Sequence, residues 1–436
     1  MQNESEVVEN LGEEETTIFE EMFEEGQDSR LLCDFQATKN QEKKPLMQST
    51  SRQQLTEFAH LLQNNLFAAI AAEVGQLSEK AQLLVAVMTL VPVQPYLPSK
   101  GRWNGRPSKH RQALATAFVA KAVYGWNTTR QLLDRLRCDT QLLRLCGWNS
   151  PRQLPHESTF SRAFEEFAHT QLPQRLHEAM IAKTQHDRLI GHIARDSTAI
   201  EARERYPAQP QPSPKKKRYK KGRKANPSTP RAPRNHIEEQ RRMTLPDLLA
   251  ELPRDCSLGV KKSSKGHLNY WRGYKLHLDV ADGDIPISAL LTAAKLHDSQ
   301  VAVPLLNMTS QRVTYLYDLM DAAYDAHAIR AHSRSLNHQP IIDPVQRQRT
   351  IHTKVPVRKN ARELKTVLSY APIPCELTPA ERQRFRQRTS VERVNARLKD
   401  HFGLRSIHYR GATKITAQAM FAVLALAVDQ WLKLTG

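Results

Sequence analysis

The chain has 436 residues, 40% of them hydrophobic, which is enough for two or three domains with real cores. Lys and Arg number 64 against 45 Asp and Glu, and the net charge of +19 either favours a polyanion such as nucleic acid or merely solubilises the surface. The five scattered cysteines include no Cys-x-x-Cys pair, which argues against a zinc site or disulfide framework and suits a reducing cytosol.

Residues 1–50 are polar and acidic and read as a loosely ordered segment. Glu13, Glu14 and Glu15 are the opposite of a secretory signal. The longest apolar run, Met420 to Val428, is shorter than the ~20 residues a membrane span needs. The expected location is the cytoplasm of a prokaryote, in association with the nucleoid. Residues 51–185 are expected to form a helical domain. Leu55, Phe58, Leu61 and Leu62 recur at helical spacing, as do Leu83, Leu84, Val87 and Leu90. Further helices are predicted over 111–124 and 129–136, with a short piece at 142–146. The stretch His156-Glu157-Ser158-Thr159-Phe160-Ser161-Arg162 opens another, with Ser158 or Thr159 as its cap. Short helices in this order suit a helix-turn-helix DNA reader or, equally, a packing bundle.

Residues 186–436 read as mixed α/β with one five-stranded sheet. The predicted strands are 190–200, 273–280, 285–293, 314–320 and 339–344. Asp282-Gly283-Asp284 makes a hairpin turn, and helices fall at 298–306, 325–336, 379–402 and 413–434. A basic, proline-flanked insertion at about 205–260 interrupts the order. It contains Lys215, Lys216, Lys217, Arg218, Lys220, Lys221, Arg223 and Lys224, which read as a DNA clamp or as a solvated linker.

The chemistry concentrates near the C-terminal end. Thr378, Pro379 and Glu381 form a helix start with a capping box. Phe385, Arg388, Glu392 and Lys399 then follow at spacings that place them along one helix face. A carboxylate between two cations can hold a metal while the cations hold phosphate, or the four can be a surface ion-pair ladder. Asp196 lies within the first predicted strand and Asp321 at the end of the fourth. If those strands are parallel neighbours, both carboxylates reach one sheet edge, where a third acid from a helix would complete a site for hard divalent cations. Asp318 should point to the opposite face, and Asp325 and Asp298 should cap the helices that follow them.

These segments resemble those of insertion-sequence DDE transposases. Phe385, Arg388, Glu392 and Lys399 are similar to the Tyr-Arg-Glu-Lys signature of the insertion-sequence four/five-like clan. Arg195-Asp196-Ser197 resembles the first-aspartate strand, and Asp321-Ala322-Ala323-Tyr324-Asp325 the Asp-x-Gly-Tyr-Asp segment. Gly273 to His277 and Leu296 to Ser299 resemble segments between the two aspartates, and Pro155 to Arg162 resembles part of the N-terminal domain. Phe385 replaces the signature tyrosine, and Ala323 stands where glycine is usual. The resemblance spans about residues 100 to 434. It implies a ribonuclease-H-like core and two Mg²⁺ ions, replaceable by Mn²⁺. Asp196, Asp321 and Glu392 would be the catalytic metal ligands, with Arg388 and Lys399 on phosphate. It also implies cleavage of element ends, strand transfer into duplex DNA, and a homodimer or larger assembly. A DNA-binding regulator with a decayed site, or a nuclease that cuts without joining, are the alternative functions.

Overall fold

The computed structural model describes residues 51–97, 110–204, 236–262, 266–344 and 377–435. The first of these residues are helical: α1 (Ser51–Leu61) passes through a π turn into α2 (Phe67–Val74), followed by α3 (Glu79–Leu90) and α4 (Arg111–Val123). Then come α5 (Thr129–Cys138), α6 (Thr140–Leu145), α7 (Glu157–His169) and α8 (Leu172–Gln185). Local chemistry sets the starts. Ser78 caps α3, and Thr128 with Gln131 closes a capping box on α5. At α7 the cap is His156, whose Nδ1 accepts from the Ser158 amide at 3.2 Å, and not Ser158 or Thr159. An imidazole nitrogen replaces the hydroxyl expected there, moving the helix start up by two or three residues.

β1 (Leu189–Glu201) begins the sheet. Two short helices, α9 (His236–Gln240) and α10 (Leu245–Glu251), lead to β2 (Ser257–Lys262), β3 (Leu268–Ala281) and β4 (Ile285–Ala293). A 3-10 turn (Asp298–Val301), α11 (Ala302–Ser310), β5 (Thr314–Met320), a second 3-10 turn (Ala322–Tyr324), α12 (His327–Ser335) and β6 (Gln339–Ile342) complete the crossovers. The sheet order is β2-β3-β1-β5-β6, with β4 on β3. β1 pairs antiparallel with β3 and parallel with β5, and β5 pairs parallel with β6. The mixed α/β class and the five expected strands are present. The sixth, β2, is a correction, because it and two short helices occupy the end of the stretch read as insertion. β2 takes over the pairing of β3 at Gly273, where β4 stops at Tyr274.

α13 (Pro379–Phe385) carries the expected capping box of Thr378 and Glu381. One 3-10 turn (Arg386–Arg388) separates it from α14 (Thr389–Asp400), and α15 (Ala412–Thr435) follows. By length and composition α15 could cross a membrane, yet 83% of its apolar window is buried within the protein. It touches α3, α4, α7 and α8 on one side and β4 on the other. Phe118, Phe164 and Phe421 meet around it, with Phe118 and Phe164 centroids 4.8 Å apart. One hydrophobic core therefore runs from the early helices through α15 to the sheet. The opposite sheet face is covered by α11 and α12, where Ala302, Leu306, Met320, Ile329 and Ile342 surround Tyr324.

Candidate active site

Two aspartates meet because of strand register. Arg195 pairs with Met320 at the last rung between parallel β1 and β5, so the next residues, Asp196 and Asp321, stand beside each other on strands about 4.8 Å apart. Asp321 also caps the turn after β5, its Oδ1 accepting from the Ala323 amide at 3.0 Å. Burial pushes the Asp196 carboxyl up to about 6, helped by the charge of Asp321, while the Ser197 amide, Lys261 and Arg388 work against it. Asp321 is raised too, again by burial first, with Asp298 adding and the Ala323 amide, Arg388 and Lys261 opposing. Two close carboxylates whose charge is costly in the bare protein form a ready oxygen-donor pair for a divalent cation.

Arg388 and Lys261 supply the cationic surroundings. Arg388 stands at the join to α14, against β1 and β5. Lys261 was not singled out in the sequence. It sits on β2 opposite Asn269, and the unrecognised strand explains the omission. Lys399 lies one helical stretch beyond on α14, half-buried. Burial lowers its pKa, Glu201 raises it, and Lys261 adds to the lowering by like-charge repulsion. Glu392 takes a different position. It is 51% exposed and accepts a 2.5 Å hydrogen bond from Arg388, four residues earlier. Among the described residues, no three His, Cys, Asp or Glu side chains are grouped to hold a metal ion. Asp196 and Asp321 thus fit a hard cation as a pair, and Glu392 joins only if it exchanges Arg388 for that site. The basic residues Lys215 to Lys224 lie outside the described residues.

The rival acids have other duties. Asp318 is fully buried on the far face, where it takes hydrogen bonds from Ser333 at 2.6 Å and Tyr315 at 3.1 Å and faces Arg195 at 3.5 Å. Arg195, next to Asp196 in sequence but on the other face, binds Asp279 through Nε at 2.7 Å and Nη2 at 2.6 Å. Asp325 does not cap α12, since Ala326 holds that position, and it accepts from Arg330 at 3.0 Å instead. Nor does Asp298 cap its turn, because the His297 ring does. Asp298 accepts from Lys275 Nζ at 3.0 Å and lies 3.9 Å from His277 Nδ1. Asp-to-amide capping is so common that it masked both pairings in the sequence.

A mixed sheet with paired carboxylates just past the last rung of two parallel strands, rimmed by cations, suits metal-assisted phosphoryl transfer. The family described as transposase DDE domain matches residues 241–428, and a second family, described as a transposase domain, matches residues 72–166. The two matches mark the chain as a transposase with a DDE domain, and that domain implies a ribonuclease-H-like core, a divalent metal and a DNA substrate. Asp321, Arg388, Glu392 and Lys399 fall inside the first match, whereas Asp196 lies between the two. No curated protein and no solved structure matched the chain.

Proposed function

We propose that this transposase cuts DNA at element ends and joins them to target DNA at a site built on Asp196, Asp321 and Glu392. The observation that carries this reading is the side-by-side placement of Asp196 and Asp321, with Arg388 close to both. Mg²⁺, with Mn²⁺ as substitute, is the cation this oxygen-donor pair suits, and two such ions would activate the attacking and the leaving oxygen. Glu392 completes the donor set when DNA phosphate competes for Arg388. In cleavage, water attacks phosphorus, the bond to the 3′ oxygen breaks, and a 3′ hydroxyl is released. In joining, that hydroxyl attacks a target phosphodiester, and a target hydroxyl leaves. Arg388, Lys399 and Lys261 hold phosphate oxygens, and the Tyr-Arg-Glu-Lys-like spacing agrees with this division of labour.

The helices of 51–185 serve as the reader of element ends, with α7 as the candidate recognition helix. The tract containing Lys215 to Lys224 adds sequence-independent grip on the backbone, for which its charge is suited. Paired ends call for a homodimer or larger assembly, acting at the nucleoid. The test is cleavage and joining of a duplex carrying the ends that flank the gene, by wild type, Asp196→Asn, Asp321→Asn and Glu392→Gln, with Mg²⁺ and with chelator. Nicking and joining that need metal and vanish in each variant, while DNA binding persists, support the reading. Cutting without joining identifies a nuclease, and binding without cutting a regulator.

A further inference from the structure

Tyr324 is fully buried, yet its hydroxyl has no hydrogen-bond partner among the described residues. Buried hydroxyls in native proteins are nearly always paired, and the exceptions mark bound water, ions or functional strain. The ring is fixed among Ala302, Leu306, Met320, Ile329 and Ile342, so the hydroxyl cannot swing out to solvent. Tyr324 ends the turn that Asp321 begins, and this turn packs against the one that starts at Asp298. Besides burial, the charges of Asp298, Asp196 and Asp321 hold its pKa well above the ordinary phenol value. The hydroxyl is therefore a protonated donor in the field of three carboxylates, hydrogen-bonded to none of them.

Asp298 is itself braced by polar partners. Lys275 Nζ donates to Asp298 at 3.0 Å and to the Leu296 carbonyl at 2.8 Å. The Ser197 hydroxyl also favours the charged form of Asp298. His277 approaches Asp298 through Nδ1 and is anchored by Nε2 to the Thr292 hydroxyl at 2.8 Å. Ser197 follows Asp196 directly on β1 and pairs across the strands with His277. Asp298 is thus tied to β3, the neighbour of the strand that carries Asp196, and its turn packs against the turn that carries Asp321. Outer partners of this kind orient the carboxylates that hold a metal.

We propose that Tyr324 is a positioning residue whose hydroxyl donates to a water shared with Asp298, and that this water orients the Asp196 and Asp321 carboxylates toward a divalent cation. The inference rests on the site assigned above. The experiment measures Mn²⁺ binding to the metal-free full chain by the loss of the free-ion electron paramagnetic resonance signal. It compares wild type, Tyr324→Phe, Asp298→Asn and Asp196→Asn, each with its thermal midpoint and its affinity for DNA. Tyr324→Phe should weaken Mn²⁺ binding about 10-fold. Its thermal midpoint should be unchanged or higher, because it removes an unpaired buried hydroxyl, and its DNA affinity should be unchanged. Asp298→Asn should weaken Mn²⁺ binding by a similar factor. If Tyr324→Phe and Asp298→Asn both bind Mn²⁺ like wild type while Asp196→Asn does not, the positioning role is overturned and the site stands. If Asp196→Asn also binds like wild type, the site itself is wrong. A lowered midpoint with unchanged Mn²⁺ affinity would reduce Tyr324 to a packing residue and likewise overturn the proposal.

Discussion

Asp196 and Asp321 occupy the first positions past the Arg195–Met320 rung of two parallel strands, so their carboxylates share one edge of the sheet. Their closeness has a cost in the bare protein. The folded state keeps a proton on Asp196 up to about pH 6, whereas the unfolded chain loses it near 3.8. The stability this group contributes is complete below pH 3.8 and is lost as pH rises through 6. Asp196→Asn should therefore stabilise the metal-free protein above pH 6, by on the order of 1–2 kcal/mol. Denaturant unfolding at pH 4 and pH 7.5 checks this, and an equal effect at both would refute it.

Arg388 lowers both aspartates and also bonds Glu392. Arg388→Ala removes that help, so both aspartates should titrate higher. The pH at which Mn²⁺ begins to bind should rise, and cleavage should fall about 10–100-fold through lost phosphate contact. A titration of Mn²⁺ binding between pH 5 and 8 reads the shift. An onset at or below that of wild type would show that Arg388 does not act on the pair.

Arg195 is fully buried between Asp279 and Asp318, and Thr309 also donates to Asp279 at 2.6 Å. Arg195→Met would leave two buried carboxylates without their cation. It should cost about 3–5 kcal/mol, measured by urea unfolding. Because β1, β3 and β5 all meet at this cluster, cleavage should fail in the same variant even at temperatures where it remains folded.

Lys121 is a buried cation on α4, with its Nζ 5.1 Å from the centre of the Tyr409 ring and no ion-pair partner among the described residues. Burial lowers its pKa from 10.5 to about 7. The unfolded chain binds the extra proton between these values, so the penalty is full below pH 7 and fades as pH approaches 10.5. Lys121→Met should stabilise the protein by roughly 2–4 kcal/mol at pH 6 and by much less at pH 10. A gain independent of pH would mean that packing, and not charge, is responsible.

Most of the sheet was legible because β1, β4 and β5 bury alternating or continuous apolar runs, and periodicity reports burial directly. β2 was not, because Leu258 and Val260 point to solvent while its inner face carries Gly259 beneath the Trp271 ring. A Cβ at Gly259 would meet that ring at 2.2 Å, so β2 packs through a residue with no side chain and through the small polar Ser257, and no apolar residue reveals it. The paired aspartates were readable from their places, one within the first strand and one at the end of a later strand. The orientation of Glu392 was not, since helical spacing permits both an ion pair with Arg388 and a turn toward the sheet edge. Tyr324 left no signal beyond being an aromatic residue after Asp321, because burial without a partner is a property of the assembled fold.

α15 closes the core of the early helices and one face of the sheet at once. During synthesis, α3, α4, α7 and α8 emerge long before it, with their apolar faces waiting. At ~5–20 residues per second, that wait lasts on the order of tens of seconds. A nascent chain that already contains Asp196 and Asp321 thus lacks the pillar that holds their strands in place. Competence to cut DNA should arrive only when the last described helix has left the ribosome, and chains broken off before Ala412 should be inert and prone to aggregate.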